Sequence, residues 1–284
     1  MPDPIQLDEK LDVRQLLEER EATLRNVRDP QRSPYAAVLR YDFEGERPVV
    51  IGSAEDADLR LEGALPHHLR LRVEHDHFLL ESLDGDFTPV GKEPARAATL
   101  PPGAVKLGRY TLRLSHQNFP AVVVLDPQSP ALTQGPPPRW FEPSQAFRVR
   151  AHLEREPQPR EELILSTRGN KRRALRLGRL RFQLEGKELQ LTALRLLEPG
   201  ASEAAVSIFF RDQTTGHESY PVGRYVDAAA LPGGSGDDYL LDFNRAYNPA
   251  CAFSPHYNCP IPPRENLLPA AVRAGERDPG GHAS

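Results

Sequence analysis

Residues 68–83 read HLRLRVEHDHFLLESL, and their reading decides the fold. Leu69, Leu71 and Val73 alternate with Arg70, Arg72 and Glu74, the period of a half-buried strand. The stretch continues through the apolar Phe78, Leu79 and Leu80. The same grammar extends on either side. AAVLRYDF, RPVVIG, ADLRLEG and GRYTLRLS are short, rich in β-formers and separated by Gly or Pro. Strands at such close spacing, with no helices between them, predict a sandwich or partly open barrel over residues 36–116.

The rest of the chain of 284 residues agrees with a mainly β reading. Its 29 prolines are about twice the usual ~5% and argue against long helices. FRVRAHL, EELILSTRG, LRLGRLRFQLEG, KELQLTALRLL, AAVSIFFRD, YPVGRYVD and DYLLDFN predict a second β module over 137–278. Between the modules, DPQSPALTQGPPPRW holds five prolines. It predicts a linker over 117–136, because a compact strand cannot use so many. Residues 7–28 carry Leu11, Val13, Leu16, Leu17, Leu24 and Val27 at helical spacing, ended by Asp29-Pro30. They predict an N-terminal helix within a lead-in of 1–35. Residues 279–284 read as a frayed tail. The expected fold is therefore mainly β: two β-sandwich-like modules with a short N-terminal helix.

Charge and motifs exclude several classes. Lys+Arg is 36 against Asp+Glu 40, a formal net charge of −4, which does not suit a dedicated nucleic-acid binder. Between Arg168 and Arg181 there are seven basic residues and no acid, but no aromatics interleave them for base stacking, so a solvated hairpin is expected. No apolar run approaches the ~20 residues of a membrane span. The opening MPDPIQLDEKLDV has no basic and apolar signal pattern, which points to a cytoplasmic protein. No P-loop, GxGxxG after a strand, GxSxG or HExxH occurs, so the nucleotide, serine-hydrolase and zincin chemistries have no support. His67, His68, His75 and His77 lack a nearby Cys and read as surface residues rather than a metal set.

Candidate site residues crowd the second module. FRDQTTGHESYPVGRY follows an apolar strand and sets Arg211, Asp212, Tyr220, Arg224 and Tyr225 at a strand end. An Arg fork and a Tyr hydroxyl suit an anionic or carbonyl-bearing ligand. The alternative is a hairpin tied by Asp212 and Arg224. DFNRAYNPACAF packs Asp242, Asn244, Tyr247 and Asn248 into seven residues, as a rigid corner or a pocket wall. In CPIPPREN the prolines present Glu265 and Asn266 stiffly. Glu265 is the general acid/base candidate of the tail, with Tyr220 as its catalytic companion. Cys251 and Cys259 flank His256. Thiolate and imidazole suit a transition metal such as zinc, yet C-x7-C is wider than a structural zinc knuckle. Buried structural thiols, a disulfide or redox pair, and a metal site all stand open.

Two resemblances add to this reading. VVIGSAEDADLRL, PHHLRL and KLGRYTLRL resemble the forkhead-associated β-sandwich. That family grips phosphothreonine peptides with an Arg after the first Gly, a Ser before the His turn, and an Asn-Gly pair. Here Ser53 follows Gly52, Leu65-Pro66-His67-His68 has no Ser, and Asp84-Gly85 stands in for Asn-Gly, so a phosphopeptide is not an expected partner. FFRDQTTGHESYPVGRYVD, LLDFNRAYNPACAFSPHYNCPIPPRENLL and RAGE resemble the family catalogued as domain of unknown function 1684. RWFEPSQAFRVRA and STRG agree with it, and STRG adds Arg168 to the candidates. This resemblance extends over nearly the whole chain. It implies that both cysteines belong to the family pattern, and it brings no established activity.

Three functions are therefore expected in turn. The first is a small-molecule binding protein or enzyme with a polar pocket in the second module, taking a polar or anionic ligand. The second is a metal- or thiol-dependent protein centred on Cys251 and Cys259. The third is an interaction module using the forkhead-associated-like face.

Overall fold

The computed structural model describes residues 10–45, 47–198, 202, 204–232 and 236–280. Contacts divide the chain into two compact units. One is Arg28–Gly135, and the other joins the N-terminal helix to the chain from Pro136 onward.

The first unit is a sandwich of two five-stranded sheets. One sheet orders β1 (Ala37–Asp42), β10 (Pro120–Leu125), β9 (Tyr110–His116), β8 (Gly103–Leu107) and β6 (Thr88–Pro89). The other orders β3 (Leu59–Arg60), β2 (Val49–Gly52), β4 (Leu69–Glu74), β5 (His77–Ser82) and β7 (Ala97–Leu100). Leu69, Leu71 and Val73 are buried while Arg70, Arg72 and Glu74 are exposed, as the alternation requires. They share one core with Val105, Leu107, Leu112, Leu114, Val122 and Val124 of the opposite sheet. His75 and Asp76 form the tight turn of the β4–β5 hairpin, with His75 at φ 54°.

The expected linker needs one correction. Residues 117–136 contain β10, which lies between β1 and β9 with Ala121–Leu125 buried throughout. An AVVVL run buried on both faces has no alternation to reveal it. The prolines that signal a linker begin only after it.

The second unit is built on one antiparallel sheet of seven strands. Its order is β15 (Arg224–Asp227), β14 (Ser207–Phe210), β13 (Lys187–Leu196), β12 (Lys171–Leu184), β11 (Arg148–Leu165), β17 (Asp238–Asp242) and β16 (Ala229–Ala230). The register slips between Arg155 and Arg160 on β11 and between Arg176 and Gly178 on β12. At the slip Gly178 has φ 151°, and a Cβ there would stand 2.1 Å from the Glu154 carbonyl oxygen. Leu175 and Leu177 lean on the main core before the slip, and Leu180, Phe182 and Leu184 after it, so the alternation shifts by one residue.

Neighbouring residues on each strand divide between two cores. Ala193, Phe210 and Val226 enter the main one. Leu194, Phe209 and Tyr225 enter a second on the opposite face, with Ile164, Ala174 and Cys259. The chain after β17 is irregular and wraps the sheet. It lends Leu268, Ala270, Val272 and Ala274 to the main core and Cys259 to the second.

The N-terminal helix α1 spans Val13–Asn26, narrower than the periodicity of 7–28 predicts. Residues 7–9 lie outside the described set. Asp12 stops the helix on that side by accepting from the Gln15 N–H at 3.0 Å. Leu16 and Val27 are buried, while Val13, Leu17 and Leu24 remain exposed. Arg245 holds Glu19 of the helix at 2.9 Å. Of the expected tail, residues 281–284 lie outside the described set. Among the described residues no helix is long and apolar enough to cross a membrane.

Candidate functional site

The second core of the C-terminal unit is capped by the loop that carries both cysteines. Cys251 sits in a 3-10 turn, Ala250–Ala252, after Pro249. Cys259 lies at the far end of the loop, anchored to the STRG turn between β11 and β12. Thr167 N–H donates to the Cys259 carbonyl at 2.9 Å, and Cys259 N–H donates to Thr167 Oγ1 at 3.1 Å. Ile261 N–H reaches the Leu165 carbonyl at 2.8 Å. Arg172 donates to the Asn258 carbonyl at 3.2 Å, and Arg168 to the Pro255 carbonyl at 3.2 Å. The Arg168 N–H also meets the Asn258 side chain at 3.2 Å. A Pro-rich loop, bridged to the chain after β11 at Ser166 and Pro260, is thereby held at several points.

This anchoring sets two thiols side by side. Both cysteines are unbridged; Cys259 is buried and Cys251 partly exposed. Cys251 N–H donates to Cys259 Sγ at 3.3 Å. Tyr220 Oη donates to the Cys251 carbonyl at 3.1 Å and lies 3.7 Å from Cys251 Sγ. The hydrogen bond from the Cys259 thiol lowers the Cys251 pKa below the ordinary thiol value. Burial opposes this, and the hydroxyls of Tyr220 and Thr167 reinforce it. Cys259 is pushed well above the ordinary value by that same bond to Cys251 and by burial. Burial, then the neighbouring Cys251, raises the Tyr220 phenol, which keeps its proton as a donor. Tyr225 closes the floor, its hydroxyl on the Pro260 carbonyl at 2.5 Å and its ring edge-on to Phe209.

The remaining candidates hold the loops to the sheet. Arg224 is 1% exposed and spreads its guanidinium over three tail carbonyls, those of Val272 at 2.8 Å, Ala274 at 2.5 Å and Glu276 at 3.0 Å. It also meets Asp212 at 3.2 Å. Asp212 accepts from Thr214 Oγ1 at 2.8 Å and from the Val272 N–H at 2.7 Å. The main chain of Arg211 pairs with that of Asn266 and Leu268. Asn266, fully buried, bonds Thr192 N–H at 2.7 Å and the carbonyls of Thr192 and Phe209 at 3.0 and 2.8 Å. Asp242 caps the 3-10 turn Phe243–Arg245, and Asn244 ties it to both backbone groups of Ser144. Asn248 N–H donates to Glu276 at 2.8 Å, and its amide reaches the Arg277 carbonyl at 2.8 Å. Tyr247 meets Asp227 at 3.3 Å. Glu265 pairs with Arg176 at 2.8 Å. Burial opposes its ionisation, but its own backbone N–H and Arg176 prevail and hold it below the ordinary carboxylate value, as the anion rather than a proton donor. Most of these polar groups answer one another and the main chain, while Arg211 Nε, Arg224 Nε and Asn248 Oδ1 are buried without a hydrogen-bond partner.

The metal set expected of Cys251, His256 and Cys259 does not assemble. Among the described residues no three His, Cys, Asp or Glu side chains are placed to hold a metal ion. The His256 N–H instead bonds Ser254 Oγ at 3.4 Å within its own turn. The loop brings two donors together, and a zinc site needs four.

Two other features resolve. The basic run on β12 faces acids on β11 and the tail. Arg173 pairs with Glu161 at 2.7 Å, Arg176 with Glu156 at 3.2 Å, and Arg181 with Glu154 and Glu188 at 2.6 and 3.1 Å. In the loops of the first unit, His67 pairs with Asp56 at 2.7 Å and His68 is buried against the Asp86 carbonyl at 2.9 Å. The acids Glu55, Asp56, Asp84 and Asp86 are exposed there.

Thr167, Arg172 and Arg176 were not among the sequence candidates. Thr167 is legible in the STRG motif beside Arg168, but its hydroxyl takes its role from the distant Cys259 N–H. Arg172 and Arg176 were hidden in a charge run.

Comparison with known proteins follows this division. The family model described as Protein of unknown function (DUF1684) matches residues 138–277, not nearly the whole chain as the resemblance predicts. An uncharacterised protein of Haloarcula marismortui, solved by NMR, is 37% identical; the match covers 50% of this chain and 76% of that one, with a TM-score of 0.41. Two forkhead-associated domain structures match at 25% and 22% identity, covering 29% and 30% of this chain and 85% and 92% of theirs. One is the FhaA domain in complex with the intracellular domain of another protein, and the other comes from work on phosphothreonine-dependent interactions. Their TM-scores of 0.22 carry no argument about this chain. No curated protein matches it. By the family model and by its identity to the Haloarcula protein, the chain belongs, through residues 138–277, to the DUF1684 family of proteins of unknown function.

Proposed function

We propose that the protein is a thiol-dependent redox protein whose working group is the Cys251–Cys259 pair. The observation that carries this reading is the placement of Cys251. Cys251 is a partly exposed residue beside the buried Cys259, and its Sγ lies 3.7 Å from the Tyr220 hydroxyl. A thiolate is the reactive form of cysteine, and neighbouring donors favour it. In the reaction Cys251 gives an electron pair to an oxidant, and Cys259 then attacks the oxidised Cys251 sulfur. One S–S bond forms, and two electrons and two protons leave with the reduced oxidant. A working dithiol suits a reducing compartment such as the cytoplasm.

The test is a redox titration of the full chain. The protein is equilibrated in graded mixtures of reduced and oxidised glutathione, and its remaining thiols are counted by alkylation and mass spectrometry. A single transition in which both thiols disappear together supports the reading. Two thiols that persist through the most oxidising mixture, at full equilibration, would overturn it.

A further inference from the structure

This inference rests on the dithiol reading and narrows it to one class of oxidant. Thiol–disulfide exchange needs the attacked sulfur and its leaving partner to line up on the attacking thiolate, so it needs room. The Cys251 pair offers little. Cys259 is 7% exposed, and its main chain is pinned to Thr167. Cys251 stands in a short turn between Pro249 and Phe253, with the Tyr220 hydroxyl 3.7 Å from its Sγ. The side chains of Tyr220 and Tyr225 are both buried beside the pair. A peroxide presents only two oxygen atoms to the sulfur and asks for much less space.

We infer that the oxidant of this site is a small hydroperoxide, with Cys251 Sγ as the attacking sulfur and Cys259 as the resolving one. Cys251 thiolate attacks the terminal peroxide oxygen. An S–O bond forms as the O–O bond breaks, and the leaving oxygen departs with the electron pair and takes a proton from water. Cys251 is then a sulfenic acid. Cys259 attacks its sulfur, the S–S bond forms and the S–O bond breaks. Water leaves with the Cys259 proton. The sum is one hydroperoxide and two thiols giving one alcohol or water, one water and one disulfide. Tyr220 acts on the reacting sulfur as a hydroxyl donor that favours the thiolate.

The experiment measures how fast hydrogen peroxide and glutathione disulfide oxidise the full chain. Each rate is divided by that of a reference peptide of residues 249–260, in which access is unrestricted. The expected ratio for peroxide exceeds that for glutathione disulfide by about tenfold or more, as restricted access demands. In Cys259→Ser, dimedone is expected to trap a sulfenic acid on Cys251. In Tyr220→Phe the peroxide rate at neutral pH is expected to fall about tenfold, through loss of one charge-assisted hydrogen bond. In the intact chain the peroxide rate is expected to rise with pH through a midpoint below that of the peptide, a readout independent of any substitution. Equal ratios, or a larger one for glutathione disulfide, would overturn the inference and leave the dithiol reading standing. Trapping on Cys259 rather than Cys251 would overturn the assigned order. Failure of both oxidants to bridge the pair would remove the inference and the dithiol reading together.

Discussion

Tyr220 Oη and Cys251 Sγ lie 3.7 Å apart, although 31 residues of chain separate them. The same hydroxyl donates to the Cys251 carbonyl at 3.1 Å, so the phenol positions the turn as well as the sulfur. Neither residue is unusual alone. The bond from the Cys259 thiol first, and then this hydroxyl, lower the Cys251 pKa, while burial and the neighbouring Cys251 keep Tyr220 a protonated donor.

Alkylation should separate the cysteines. Iodoacetamide is expected to modify Cys251 first, with a pH midpoint below the ordinary thiol value of 9.0. Cys259 is expected to react only when the protein unfolds, since burial and its bond to Cys251 keep it protonated. Peptide mapping after timed labelling at several pH values reads both outcomes. Equal labelling of the two would contradict the assigned acidities.

Arg224→Met should destabilise the C-terminal unit by about 3–5 kcal/mol, the usual cost of breaking a buried ion pair from one side. The loss leaves Asp212 buried without its cation and three carbonyls of the 272–276 tail without their donor. Denaturant unfolding gives the value. A change below about 1 kcal/mol would show that the tail is held by its apolar residues alone.

Glu276 should make stability depend on pH. Its carboxyl is buried and raised to about 7, because desolvation outweighs the Asn248 N–H and the charges of Arg224 and Arg20. The folded state therefore keeps its proton in a range where the unfolded chain, near the ordinary 4.5, has lost it. Stability should fall as pH rises from about 4.5 to about 7 and then level off. The difference is on the order of 3 kcal/mol. Glu276→Gln, which retains an acceptor for Asn248, should flatten that part of the curve. A Glu276→Gln profile identical to that of the wild type would assign the slope elsewhere.

Gly178→Ala should weaken the long β11–β12 hairpin. The added Cβ would meet the Glu154 carbonyl at 2.1 Å, and φ 151° is poor for any other residue. A loss of about 2 kcal/mol or more is expected, since backbone rather than a flexible side chain must yield. Thermal unfolding of the variant would show it. An unchanged midpoint would mean that the register slip can relax around a methyl group.

Much of this was legible in the chain because it is local. Leu69, Leu71 and Val73 alternate with charge, and the strand they predict is the strand that forms. Asp12 caps α1 within one turn of itself. Strand β10 was missed for the opposite reason. Its Val122, Val123 and Val124 are buried on both faces, so nothing alternates. Arg224 and Asn266 stood out as polar residues in an irregular segment, which a binding pocket and a stiff corner explain equally well. Their partners, Asp212 and the tail carbonyls for one, Thr192 and Phe209 for the other, lie 12 to 74 residues away.

The sequence by itself determined the mainly β character, the N-terminal helix and the concentration of unusual polar residues after Val206. Those properties follow from side-chain period, proline placement and capping, which act over a few residues. Only the tertiary structure decided that the acids of β11 neutralise the basic run on β12, that His256 stands apart from a metal set, and that Thr167 and Tyr220 converge on Cys251 and Cys259. Strand pairing and the wrapping of the C-terminal chain bring these residues together across 12 to 92 positions, and no local pattern encodes such distances.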